Sequence, residues 1–142
     1  MYSNKYFSII GMDNEMKDKV DSIKGNLSGI VGFAPQKVFV CDYIKTDGTR
    51  VFENILFFSN DIVFEVKNIN ADERYNIIKL TNKVAALQFL KNDNNLRSFN
   101  DDSKLHLRVV MSNDLELELK ATGENCKYLM EIINAYLINN FT

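Results

Sequence analysis

Hydrophobic positions recur at helical spacing near the N-terminus, alternate with polar ones through the middle of the chain, and return to helical spacing near the C-terminus. Met12, Met16, Val20, Ile23 and Leu27 fall at steps of four and three, with Glu15, Lys17, Asp18, Asp21 and Lys24 on the other face. This predicts an amphipathic helix over 12–27. Asp13 and Glu15 lie at its positive end, Lys19 and Lys24 toward its negative end, and Gly25 is able to take a left-handed stop conformation. The polar face carries both signs of charge, which favours core packing over an anionic membrane as the destination of the apolar stripe. Gly25, Gly29 and Gly32 lack the preceding strand and the Lys-Ser/Thr ending of a phosphate loop, so they read as a linker that Pro35 turns toward extended chain.

From residue 36 to residue 121 the pattern is that of strands. Residues 37–45 are rich in Val, Phe and Tyr, and Asp47-Gly48 supplies the chemistry of a two-residue turn back into 50–58. A tight reversal at Ser59-Asn60-Asp61 leads into 62–67, and a polar connection leads to a short strand over 75–80. Residues 84–91 carry two signals. Ala85-Ala86-Leu87 favours a helix, whereas Leu87, Phe89 and Lys91 share one face of a strand; strand is adopted here because a helix would break two otherwise continuous β runs. Residues 92–103 form a loop rich in Asn and Asp, anchored by Leu96 and Phe99. Counted from Asp93, its sixth position is Ser98 and its twelfth is Lys104, where a calcium loop of the EF-hand type needs Gly and Glu.

The last hairpin has the clearest alternation. Leu105, Leu107 and Val109 share a face, as do Leu115, Leu117 and Leu119. Pairing Met111 with Leu115 buries both sets together and sets Arg108 beside Glu118 and His106 beside Lys120; a slip of two residues gives Arg108 beside Glu116 and His106 beside Glu118. The stretch "NDLELELKATGENCKYLMEII" then turns from strand to helix, and Cys126, Leu129, Met130, Ile133, Tyr136 and Leu137 make one stripe of a helix over 125–140. Thr122 or Asn125 can serve as its N-cap.

Length and composition narrow this to one domain over 1–142, since 142 residues with 46% hydrophobic and 25% charged residues are those of an ordinary globular chain. A net charge of −2 argues against a nucleic-acid partner. Residues 1–15 lack the apolar stretch of a signal peptide, and apolar runs such as 55–58 fall far short of the ~20 residues that span a bilayer, so a cytoplasmic protein is expected. Asn, Ile and Lys are abundant and Pro occurs once, a composition suggestive of an AT-rich bacterial genome. Cys41 and Cys126 form no CxxC pair and read as buried free thiols. His106 is the only histidine, on an outer strand face without a Ser, Cys or acid placed as a relay, and Glu116 and Glu118 neutralise the basic stripe of Lys104, His106 and Arg108. No catalytic residue, cofactor or metal is expected.

Seven strands joined mostly by short reversals, then a terminal amphipathic helix, predict a mainly β, α+β chain: an antiparallel barrel or orthogonal sandwich closed by its last helix. Over 37–137, with "YNIIKLTNKVAALQFLK" as the central strand pair and the leucine strand running into the closing helix, the chain resembles the pleckstrin-homology-like (PH-like) superfold of bacterial type. The 12–27 helix is an addition to it. The resemblance implies a binding or scaffold domain that recognises a protein or peptide. Lipid-binding members of the superfold carry a basic cluster on the first two strands; here Lys37, Lys45 and Arg50 are interleaved with Asp42 and Asp47, so a phosphoinositide is not expected. The closing helix lacks the superfold's Trp, whose place Leu129, Met130 or Ile133 would fill. Lys37, Lys45 and Arg50 remain the candidate ligand-surface residues. Two other readings are a ligand carrier or small enzyme with a cystatin-like or NTF2-like pocket, and peripheral membrane association through the 12–27 helix. A homo-oligomer is a further possible assembly.

Overall fold

The computed structural model describes residues 4–80, 83–92 and 96–140. Two helices, α1 (Asn4–Ile9) and α2 (Asn14–Leu27), precede strands β1 (Lys37–Ile44), β2 (Arg50–Phe58), β3 (Ile62–Lys67), β4 (Arg74–Lys79), β5 (Val84–Asn92), β6 (Lys104–Met111) and β7 (Glu116–Thr122). A last helix, α3 (Asn125–Ile132), continues as a π-helical turn, Ile133–Leu137, and a 3-10 turn, Ile138–Asn140. Strands β1 to β4 form one antiparallel sheet in chain order and β5 to β7 form a second. The chain is α+β and mainly β. Of the two expected forms, barrel or orthogonal sandwich, the closed barrel is not formed: the strands make two separate sheets, and among the described residues no ladder joins β1 to β7 or β4 to β5. At the first of these seams, side chains from α1 and α3 take the backbone groups of Val40 on β1.

The N-terminal region differs from its pattern in two places. Asp13 caps α2 as its position suggests, accepting the Met16 N–H at 2.8 Å. Gly25, however, does not stop the helix. The chain stays helical to Leu27, and Ser28 ends it by donating its hydroxyl to the Gly25 carbonyl at 2.6 Å. The stripe of Met12, Val20, Ile23 and Leu27 is buried in the core, so the helix spends its apolar face on packing. The unanticipated α1 has only six residues, too few for a helical period to show, yet it buries Tyr6 and Phe7.

The β1–β2 turn is one residue longer than the Asp47-Gly48 dipeptide predicts. Lys45 N–H donates to the Thr49 carbonyl at 2.8 Å and Gly48 N–H to the Lys45 carbonyl at 2.9 Å, with Gly48 at φ +87°. This is a type I turn followed by a left-handed residue, which Gly48 takes without a Cβ clash. Asp47 favours it by accepting the Thr49 N–H at 2.9 Å, a bond that also lowers its carboxyl pKa. In the last hairpin, His106 stands opposite Lys120 and Arg108 opposite Glu118, as the Met111–Leu115 closure requires. The side chains nevertheless reach diagonally, His106 Nε2 to Glu118 and Arg108 Nε to Glu116 at 3.6 Å.

Both faces of the four-stranded sheet are covered. Phe58 packs on Tyr136 of the C-terminal π turn, with ring centroids 5.3 Å apart. Its neighbour Phe57 points to the opposite face, where Phe33 lies edge-on to Phe57 and Phe64 at 5.5 and 5.0 Å. This is why Ile55, Leu56, Phe57 and Phe58 are consecutive and all buried. In the second sheet the alternation is clean: Leu105, Leu107, Val109 and Met111, with Leu117, Leu119 and Ala121, are buried on the face that meets the rest of the core. Leu96 and Phe99 pack against that core from the connection before β6.

Glu65 breaks the apolar run of β3. It is 2% exposed; Oε1 accepts from Asn76 Nδ2 at 3.1 Å and Oε2 has no protein partner. Burial pushes its pKa up, against the smaller opposing effects of the Asn76 bond and Lys67. A carboxyl whose folded pKa lies above its unfolded value stabilises the fold fully below the unfolded pKa, and that contribution is lost as pH rises through the folded pKa. Urea midpoints are therefore expected to fall as pH rises above 4.5, the ordinary glutamate value, and Glu65→Gln is expected to flatten this fall and raise the midpoint at neutral pH. An equally steep fall in the Gln variant would assign the dependence to other groups.

Candidate functional site

The chemistry of the molecule gathers where the β1–β2 hairpin, the corner between α1 and α2, the end of β7 and the start of α3 meet. On β2 an extra residue interrupts the pairing, since Cys41 stands opposite Asn54 and Asp42 opposite Phe52. Such a bulge bends the strand and increases its twist. Beyond it, Asp42 meets β7 and α3 instead of solvent.

Asp42 is fully buried, and its two oxygens take four donors. Arg50 Nε donates at 2.8 Å, Thr122 N–H at 3.1 Å and Asn125 Nδ2 at 2.7 Å, and the Thr122 hydroxyl completes the set. A carboxylate offers about four lone-pair sites, so its capacity is filled. Asn125 also donates to the Val40 carbonyl at 2.8 Å, while its Oδ1 accepts the Tyr6 hydroxyl at 2.9 Å. The Tyr6 oxygen in turn accepts the Val40 N–H at 2.9 Å. Both backbone groups of Val40 are thus satisfied by side chains from α1 and α3, which stand where another strand would pair. Thr122 and Asn125 serve this network rather than capping α3, whose N-cap position is Glu124 with no side-chain bond.

Arg50 extends the network to the N-terminal corner by donating Nη1 to the Ile10 carbonyl, and its guanidinium lies 4.8 Å from the Phe52 ring centroid. Gly11 makes that approach possible: its φ is +78°, and a Cβ there would stand 3.2 Å from Arg50 Nη1. The corner forms one wall of an open groove of about 650 Å³, lined on the other side by Tyr43, Lys45, Arg50 and Phe52 and closed by Met16 and Asn70. A smaller cleft of about 240 Å³ lies beside it, where Asp42, Tyr43 and Ile44 face Lys104, His106 and Lys120. Two of its basic residues have acidic neighbours. Lys120 lies 3.5 Å from Glu53 and over the Tyr43 ring, and His106 pairs with Glu118.

The three candidate ligand residues therefore separate. Lys45 and Arg50 line one groove, although much of the Arg50 guanidinium is engaged inside the protein. Lys37 begins β1, eight residues and about 26 Å of extended chain from Lys45. Asp42, Tyr6, Thr122 and Asn125 were missed as a cluster. The one available signal was an acid inside the apolar run "VFVCDYI", an arrangement that a buried, paired charge produces.

Both thiols are buried and reduced. Desolvation raises the pKa of each, that of Cys126 to about 12, so neither is poised as a nucleophile near neutrality. Among the described residues no group of three or more His, Cys, Asp or Glu side chains is placed to hold a metal ion, and no helix is long and apolar enough to cross a membrane. Residues 93–95 of the loop tested as a calcium site lie outside the described residues. In comparisons with known proteins, no family model, curated protein or solved structure matches this chain.

Proposed function

We propose that the chain is a non-catalytic binding domain of PH-like architecture that recognises a protein or peptide through the groove between α2 and the β1–β2 hairpin. The observation that carries this reading is the groove's construction. An apolar and aromatic lining from Met16, Tyr43 and Phe52 is rimmed by Lys45, and the wall behind it is held by Arg50 and the buried Asp42. A preorganised, mostly apolar cleft with a few oriented polar groups is the usual form of a recognition site. The order of four strands, three strands and a helix supports the architectural part.

The test uses the intact chain as bait in lysate of its source organism, beside the groove variant Met16→Glu/Lys45→Glu. A partner retained by the native chain and lost by the variant, with the two chains unfolding at similar urea concentrations, is the expected result. A partner held equally by both would remove the groove from the reading. Absence of any partner, together with a monomeric sedimentation profile, would remove recognition itself.

A further inference from the structure

We propose that the free edge of β4 is a second recognition surface, which adds an extended peptide strand whose apolar core is flanked by acidic residues. The proposal rests on the binding-domain reading but uses a different surface from the groove. Strand β4 pairs with β3 on one side, and among the described residues no strand pairs with the other. Five of its six residues are exposed. An edge of this kind presents unpaired backbone N–H and C=O groups to an incoming strand.

The side chains specify what that strand should carry. Tyr75 and Ile77 share a face and are 42% and 52% exposed. Ile77 stands opposite Phe64, on which Phe33 packs, so the exposed pair prolongs the buried outer face of the sheet to its margin. An added strand would cover them with its own apolar residues. Arg74 and Lys79 stand at the two ends of β4, and neither has an ion-pair partner among the described residues. Arg74 is directly opposite Lys67, a like-charge pair that a neighbouring carboxylate would relieve. Run antiparallel to β4, the complementary segment reads acid, apolar, apolar, polar, apolar, acid. A second copy of β4 paired along its whole length would instead set Arg74 against Lys79 at both ends, which disfavours self-association.

The test titrates the isotopically labelled full chain at low salt with the capped peptide Asp-Val-Ile-Thr-Val-Glu and, separately, with Lys-Val-Ile-Thr-Val-Lys. Amide shifts and slowed hydrogen exchange are expected over residues 74–79, with about tenfold tighter binding of the acid-ended peptide, since two end pairs change from attraction to repulsion. Arg74→Glu/Lys79→Glu is expected to reverse the order of the peptides, and the groove variant Met16→Glu/Lys45→Glu to leave it unchanged. Equal binding of the two peptides, shifts confined to the groove, no binding at millimolar peptide, or protection of β4 by dimerisation without peptide would each overturn the proposal. Such a failure beside groove-dependent partner capture would leave the binding-domain reading standing; retained β4 binding without groove-dependent capture would identify the groove as the part that failed.

Discussion

Replacing Asp42 by Ala is expected to remove about 3 kcal/mol of folding stability, the lower end of the roughly 3–5 kcal/mol lost when one partner of a buried ion pair is deleted. The lower end applies because the Arg50 side chain is 32% exposed and water can partly resolvate it. Arg50 is only part of the cost. Thr122 N–H, the Thr122 hydroxyl and Asn125 Nδ2 lose the same acceptor in a buried region. Asp42→Asn is expected to recover little, since each carboxylate oxygen takes two donors and the amide nitrogen would face both donors of the oxygen it replaces. Denaturant unfolding of Asp42→Ala, Arg50→Met and the double variant separates the terms: a coupling well below the Asp42→Ala loss would assign most of it to the orphaned neutral donors. A loss under about 1 kcal/mol for Asp42→Ala would contradict the buried, fully bonded carboxylate described here.

Phe57→Ala is expected to cost about 3–5 kcal/mol, the range for truncating a buried aromatic side chain. Phe57 is inaccessible, and its ring faces Phe33 on the side of the sheet away from the C-terminal helix. Removing it leaves a cavity beneath the connection between α2 and β1, which well-packed strands can collapse into only in part. Phe33→Ala should cost less, because Phe33 is only partly buried against the same cluster. Thermal or urea unfolding of the two variants checks the order. If Phe33→Ala proved the more damaging, the outer face of the sheet would depend on the connection more than on the strand beneath it.

These two sites also mark what could be read in advance. Strand positions, the Met111–Leu115 closure and the extent of the last helix follow from period and turn chemistry, which are local properties. The consecutive apolar residues 55–58 were visible as well, but periodicity does not say what covers each face; that depends on where Tyr136 of the C-terminal turn and Phe33 of the α2–β1 connection dock. The closed barrel was over-read from strand number, because closure depends on the edges of β1 and β4, and nothing local encodes whether an edge meets a strand or a side chain. The Asp42 network has the same character. Its members are separated by 80 or more residues along the chain in the bonds to Thr122 and Asn125, so no spacing rule links them. Lys45 and Arg50 were legible as charges, whereas the inward commitment of Arg50 required its partners to be located.

The edge of β1 also has a history during synthesis. Asn125 follows Asp42 by 83 residues and Tyr6 by 119. At roughly 5–20 residues per second of translation, Asp42 is made roughly 4–17 s before the amide that completes its margin. Through that interval the Val40 carbonyl and the side of Asp42 that Thr122 and Asn125 will take are left to water, to transient partners or to whatever guards the nascent chain, and the native arrangement is reached only when the last helix arrives.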